Sequence, residues 1–238
     1  TIGSDVETIG TTAFTACTSL KEIVIPDSVT TLGMSAFDGC KNLEKAVIGD
    51  GVTELADTFN ACTNLSEVTL GNSVRTIGSS TFEGCYRLAE IVIPNSVKTI
   101  SSNAFNNCWS LRNVTIPESA ETIGMYAFYN CPLLTQVTIP ASVTDIGYMA
   151  FGFCYEDEYY YELRKVEDFT IYGYDDTQAQ KYANDNEFKF VLLEQTDDIK
   201  IGDADGDGEI TIMDATAIQL HIAQLEIIFD DMRACADT

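Results

Sequence analysis

The chain is predicted to fold as a solenoid of parallel strands, followed by a small C-terminal segment of different character. Three observations predict it. First, Phe14/Cys17, Phe37/Cys40, Phe59/Cys62, Phe82/Cys85, Phe105/Cys108, Phe128/Cys131 and Phe151/Cys154 form one Phe-x-x-Cys series whose cysteines lie 23, 22, 23, 23, 23 and 23 residues apart. A fixed period of that length means a structural unit that contacts only its neighbours in a stack. Second, apolar residues recur six and eight positions after each cysteine, and Pro or Gly closes the pair at the ninth in six successive repeats. Third, an Asp- and Gly-rich motif replaces the repeat towards the C-terminus.

Within a repeat, Leu stands three residues after the cysteine: Leu20, Leu43, Leu65, Leu88, Leu111 and Leu134. The pairs Ile23/Ile25, Ala46/Ile48, Val68/Leu70, Ile91/Ile93, Val114/Ile116 and Val137/Ile139 then read as short strands, alternating and mostly β-branched, each ended by a turn former. Every strand enters its turn in the same direction, so neighbours must pair in parallel, and stacking at about 4.8 Å per strand gives a body roughly 35 Å long. Val at the twelfth position and Ile or Leu at the fifteenth continue the inward set, as in Val29/Leu32/Gly33 and Val143/Ile146/Gly147. The one short repeat loses its residue here, at Leu55-Ala56-Asp57-Thr58-Phe59. The Ala-Phe-x-x-Cys stretch is too short for a full helix and fits a single helical or 3₁₀ turn on the convex side.

Between the inward positions, Glu22, Lys45, Glu67, Glu90, Asn113 and Gln136 at the fifth place, and Val24, Val47, Thr69, Val92, Thr115 and Thr138 at the seventh, face solvent on the concave sheet. A Val/Thr column is what a parallel sheet prefers on propensity alone. With no aromatic platform or charged cluster on it, this face reads as a solvated acidic surface.

Seven of the eight cysteines hold one phase of the repeat, so they stack in a column rather than face each other. An odd column cannot pair fully, and free cysteine behaves as a small buried hydrophobe. A thiol ladder is therefore expected rather than a disulfide framework. The balance of 13 Lys+Arg against 37 Asp+Glu gives a formal charge of −24. Such a surface repels phosphate backbones and anionic lipid, which argues against nucleic acid or a membrane as direct partner. No run reaches the roughly 20 apolar residues of a membrane span. Thr1-Ile2 falls on the phase of Val24-Ile25, so more repeats or a cap are expected upstream.

Ile123-Gly124-Met125-Tyr126-Ala127-Phe128-Tyr129-Asn130-Cys131 through Ile139-Pro140-Ala141-Ser142-Val143 resembles the BspA-like, Treponema-type leucine-rich repeat of bacterial surface and secreted proteins. The resemblance covers residues 1 to about 154. It implies a leucine-rich-repeat solenoid with a parallel β-sheet on the concave face and short helical or 3₁₀ turns on the convex face. It also implies non-catalytic binding or adhesion at a secreted or cell-surface location.

After Cys154 the phase returns at Val166, Phe169 and Ile171, following an insertion of nine residues that includes Tyr159, Tyr160 and Tyr161. Those tyrosines can anchor a partner or a sugar, or fold back to shield the end of the stack. Thr177 with Gln180 three residues on reads as a capping box opening a short helix that ends by Asn184 to Asn186. Phe188 to Leu193 reads as one further strand. From about residue 172 this helix and strand cap the solenoid, taken as residues 1–194, and residues 195–201 form a linker.

Residues 202–238 carry the remaining motif. Asp203, Asp205 and Asp207 occupy positions 1, 3 and 5 of a twelve-residue loop, Gly208 position 6, Glu209 position 7 through its carbonyl, Thr211 position 9 and Asp214 position 12. Oxygen donors at this spacing with a glycine at the sharp bend are the requirement of a Ca²⁺ loop. Ala215, Ile218, Ile222 and Leu225 then form one apolar stripe on an exit helix. A loop with Asp at position 12, an exit helix and no entry helix resembles the first half of a type I dockerin, and the resemblance implies that residues 202–238 are a truncated dockerin-like segment. The resemblance implies docking to a cohesin module of a scaffolding protein once both halves are present. It assigns Ile212, Met213, Gln219, Leu220 and Gln224 to the partner face. Alone, the half-dockerin stripe is expected to pack on the cap or on a second copy of itself, giving a possible dimer.

The chain holds one histidine, His221, on that exit helix. Without a second, no Cys-His or Ser-His constellation can form in the repeats. The sequence therefore points to a non-enzymatic extracellular binding protein with Ca²⁺ as its cofactor and a protein or glycan ligand on the repeats. A stand-alone adhesin whose calcium loop only stabilises is the alternative, and a polysaccharide-degrading component is a weaker one.

Overall fold

The computed structural model describes residues 2–155 and 162–193. Two strands recur in each coil, numbered here along the chain. The first set is β2 (Glu22–Ile25), β4 (Lys45–Ile48), β6 (Glu67–Thr69), β8 (Glu90–Val92), β10 (Asn113–Thr115) and β12 (Gln136–Thr138). Interleaved with it are two-residue strands: β1 (Thr8–Ile9), β3 (Thr31–Leu32), β5 (Glu54–Leu55), β7 (Thr76–Ile77), β9 (Thr99–Ile100), β11 (Thr122–Ile123) and β13 (Asp145–Ile146). All pairings within both sets are parallel, and residues one repeat apart are partners, as Ile23 with Ala46 or Ile77 with Ile100.

The core is built from the columns read in the sequence. The phenylalanines stack from Phe14 to Phe151 with centroids 4.7 to 5.7 Å apart and planes within 17° of parallel. Offset stacking of this kind adds to the burial of each ring. The wider steps, 5.6 and 5.7 Å, flank Phe59 of the short repeat. Every cysteine from Cys40 to Cys154 is buried, Cys17 is half-buried, and all seven are free thiols. Their sulfurs tie coils together: Cys62 Sγ–H donates to the Phe37 carbonyl at 3.2 Å and Cys108 to that of Phe82 at 3.2 Å.

The Ala-Phe-x-x-Cys stretches are not helical or 3₁₀ turns, which corrects the expectation for that side. They are runs of β-turns. Cys85 N–H donates to Phe82 C=O (3.1 Å) with Gly84 at φ +71°, the left-handed third residue of a type II turn. The amides between these turns bond to the next coil instead, as Phe82 N to Ala104 O at 2.8 Å and Gly84 N to Asn106 O at 2.9 Å. A helical turn would direct those amides along its own axis and leave the coils unbonded on this side.

At the C-terminal end, β14 (Phe153–Tyr155) and β15 (Leu163–Lys165) pair antiparallel on either side of the inserted segment. Next, β16 (Thr170–Gly173) pairs with β12, and β17 (Lys189–Leu192) with β16, both in parallel. Between them α1 (Gln178–Asp185) buries Ala179, Tyr182 and Ala183. Tyr182 does what a further coil would do. Its hydroxyl accepts from Phe151 N (2.9 Å) and donates to Phe151 O (2.9 Å), while its ring meets Phe151 edge-on. The capping box does not form: the Thr177 hydroxyl donates to Tyr174 O, and the Gln180 carbonyl oxygen accepts from Asp176 N rather than Thr177 N.

Candidate interaction surface

The buried columns take up the recurring inward positions of the repeats, so the outward face of the β2-to-β17 strands is one that the repeats present to solvent. Its outward positions are exposed as expected, Val92 at 79% and Val24 at 53%. Lys45 and Glu67 on neighbouring strands form an exposed ion pair at 2.9 Å, a contact of small energetic weight in water.

This sheet is interrupted. Its strands pair as β2-β4-β6, β8-β10 and β12-β16-β17, leaving seams between β6 and β8 and between β10 and β12. Where a ladder forms, the amides entering a strand donate back to the preceding coil: Ser66 and Glu67 N to Glu44 O (3.0 and 3.1 Å), Arg112 N to Ala89 O (2.9 Å), Thr170 N to Thr135 O (2.9 Å). The equivalent bonds from Ala89 and Glu90 to Ser66 O, and from Thr135 and Gln136 to Arg112 O, are missing. The bond at the other end of the strand is ruled out chemically. Gly49 N donates to Ile25 O at 2.9 Å, whereas Pro94 and Pro140 have no N–H to donate. A groove of about 420 Å³ lies over the first seam and one of about 280 Å³ over the second, and Asn113 and Thr115 line both.

Two aromatic clusters lie away from this sheet face. Tyr86 and Trp109, each directly after a ladder cysteine, stack at 4.1 Å and 9°, both partly exposed. Tyr126 meets Tyr129 and Tyr148 edge-on at 5.2 and 5.8 Å, and Tyr129 meets Tyr155 at 5.3 Å, beside the hairpin that brackets the insertion. Reading only strand positions missed both. For the first cluster the signal was present in the column after each cysteine, where Tyr86 and Trp109 occupy consecutive repeats.

The sequence-predicted partner residues Tyr159, Tyr160 and Tyr161 lie outside the described residues. So do the calcium-loop residues Asp203, Asp205, Asp207, Glu209, Thr211 and Asp214, and Ile212, Met213, Gln219, Leu220 and Gln224. Among the described residues no three His, Cys, Asp or Glu side chains converge as a metal site, and no helix is long and apolar enough to cross a membrane. Burial pushes the thiols of Cys85, Cys108 and Cys131 upward, Cys131 to about 12, so these three are protonated and inert near neutrality.

The family described as "BspA type Leucine rich repeat region" matches residues 1–108 and 56–158, in six copies. The chain is similar to the crystal structure of a leucine-rich repeat protein of T. pallidum, with 32% identity over 60% of this chain and 67% of that one, at a TM-score of 0.55. It is also similar to a leucine-rich repeat protein from Eubacterium ventriosum, with 32% identity over 54% of this chain, at a TM-score of 0.52. The chain spans 35% of that second protein. None of the curated proteins matches it. By the recurring Phe and Cys columns, the parallel ladders and these likenesses together, the chain belongs to the BspA-type leucine-rich repeat family.

Proposed function

We propose that the chain is a non-catalytic binding protein of the bacterial cell surface or exterior, whose repeats present the outward sheet face to a partner. The observation that carries this reading is the division between columns: Phe, Cys, Leu and the inward strand residues are closed into the stack, while the fifth and seventh positions are polar or β-branched and open to solvent. The described residues hold no histidine, so no Ser-His or Cys-His pair among them supports a hydrolytic reading.

For the tail, the proposal rests on the twelve-residue pattern. Asp203, Asp205 and Asp207 hold Ca²⁺ by their carboxylates, Glu209 by its carbonyl, Thr211 directly or through water, and Asp214 closes the loop. Joined to a second loop of the same kind, the tail docks to a cohesin through Ile212, Met213, Gln219, Leu220 and Gln224. Calorimetric titration of this chain with Ca²⁺ is expected to show one site lost on Asp203→Ala. The chain extended by a second loop of the same kind is expected to bind a cohesin and release it in EDTA. Calcium binding without cohesin binding would leave the loop as a stabilising device and favour the stand-alone adhesin. No calcium site at millimolar metal would overturn the reading of the tail.

A further inference from the structure

Resting on the interaction-surface reading, we propose that the two seams of the main sheet form one continuous site for a neutral, hydroxyl-rich ligand: an oligosaccharide laid across the strands from β6 to β16. Three features select that chemistry. The first is width. The strands flanking each seam keep Cα atoms within 8 Å of each other, yet their ladder is absent. Inserting a peptide strand needs two sheet spacings, about 9.6 Å, so an extended peptide cannot complete the sheet there. Residues of both strands flanking each seam line its groove, so donors and acceptors of the size of a sugar hydroxyl can approach the outward edge of the seam.

The second feature is continuity. Asn113 and Thr115 line both grooves, so the two openings adjoin across the β8-β10 pair. From β6 to β16 the path crosses four strand spacings, about 19 Å. That length suits a chain of rings and exceeds a single one.

The third is lining. Glu67 and Glu90 border the first groove, Gln136 and Thr138 the second, and Tyr172 stands at its far end. Carboxylates and amides accept and donate in the pattern that sugar hydroxyls satisfy, and a tyrosine ring offers a face for the C–H side of a sugar. No Lys or Arg lines either groove, Lys45 beside the first is already paired with Glu67 at 2.9 Å, and the chain's −24 opposes the approach of an anion. The openings lack the large apolar pocket that anchors an amphipathic helix.

The test is calorimetric titration of the full chain with three probes: neutral gluco- and xylo-hexasaccharides, an acidic oligogalacturonide, and an extended neutral hexapeptide. At least one neutral sugar is expected to bind. The double variant Asn113→Ala/Gln136→Ala, at exposed positions, is expected to weaken it about tenfold or more while melting as the parent does. Trp109→Ala, which removes the separate aromatic stack, is expected to change affinity by less than about twofold. The proposal is overturned if neither neutral sugar binds at millimolar concentration, or if only the acidic sugar or the peptide does. It is also overturned if Trp109→Ala abolishes binding that the double variant retains. Peptide binding lost in the double variant would keep the surface and remove only the ligand class. The calcium and cohesin experiments are unaffected by any of these results.

Discussion

The same coils are held together by two ladders of opposite quality. The two-residue strands β5, β7, β9, β11 and β13 form an unbroken sheet, while the longer strands of the same coils fall into three groups. Length does not decide this, and the residue that ends each strand contributes. The short strands run into an amide that donates back: Gly78 N to Leu55 O at 2.6 Å, Ser101 N to Ile77 O at 2.8 Å, Gly124 N to Ile100 O at 2.7 Å and Gly147 N to Ile123 O at 2.7 Å. From β8 onward the long strands of the repeats run into proline, so they depend on the bond at their entrance. β8-β10 has that bond through Arg112 and Ala89 and stays paired; the two seams lack both bonds and open. Closure on one side allows openness on the other, because a coil fixed by its turns and second ladder need not pair on its outward face.

The largest effect is expected where both ladders share support. Phe105→Ala empties one step of the stacked column and should cost about 4 kcal/mol, read as a loss of denaturation midpoint with an unchanged slope. Breaking the continuous ladder comes next. A Cβ at Gly124 would sit 2.4 Å from Ser102 N and one at Gly147 2.3 Å from Met125 N, both backbone atoms that cannot swing away. Gly124→Ala should therefore destabilise by about 3 kcal/mol. If it melts like the parent, the second ladder is not what holds the coils.

The thiol column gives a pH test. Above the ordinary cysteine value the unfolded chain releases protons that the folded chain keeps, since burial raises the Cys131 pKa to about 12. The unfolded state then binds fewer protons, so stability falls as pH rises from about 9 towards 12, by about 1.4 kcal/mol per pH unit for each such thiol. Cys131→Ala should flatten this alkaline slope in melts at pH 8 to 11; an unchanged slope would place the titration elsewhere, for instance at Tyr182, whose hydroxyl burial also pushes up.

How much of this was legible in the sequence follows from what repetition amplifies. The Phe and Cys columns, the parallel strands from Glu22 to Thr138 and the closing helix and strand were readable, because each apolar choice recurs in phase. The second ladder was not, since a two-residue strand such as Thr99–Ile100 carries no alternation to detect. The turn runs were hidden by chemistry: Ser80, Asn103, Tyr126 and Met149 all take positive φ at one phase, and only the first two are residues that suggest a turn. The short repeat shows in the sequence as a deletion, but its structural consequence does not. Ala56 N bonds its own Thr58 hydroxyl at 3.1 Å instead of reaching the preceding coil, and the second sheet divides between β3 and β5. Inserting Gly after Leu55 should rejoin them, for a gain of about 1 kcal/mol in melting experiments.

Proline at the ninth position both forms the turn and withholds an N–H from the sheet. The smallest and sharpest prediction isolates that atom. Pro94→Ala gives the exit of β8 an amide placed to donate to Leu70 O, as Gly49 donates to Ile25 O. A new bond is worth about 1 kcal/mol, and the loss of proline's restriction of the unfolded chain removes about half of that. The net change in stability should thus be about 0.5 kcal/mol, near the limit of a melting curve. Hydrogen exchange resolves it better, because the gain is local: the amides of Ile91 and Val92 should exchange several-fold more slowly. Pro117→Ala supplies the control, since β8 and β10 already pair and the same substitution there has no seam to close. Equal protection in both variants would show that proline does not set the seams; protection confined to the β6–β8 side would show that one missing donor keeps this face of the sheet open.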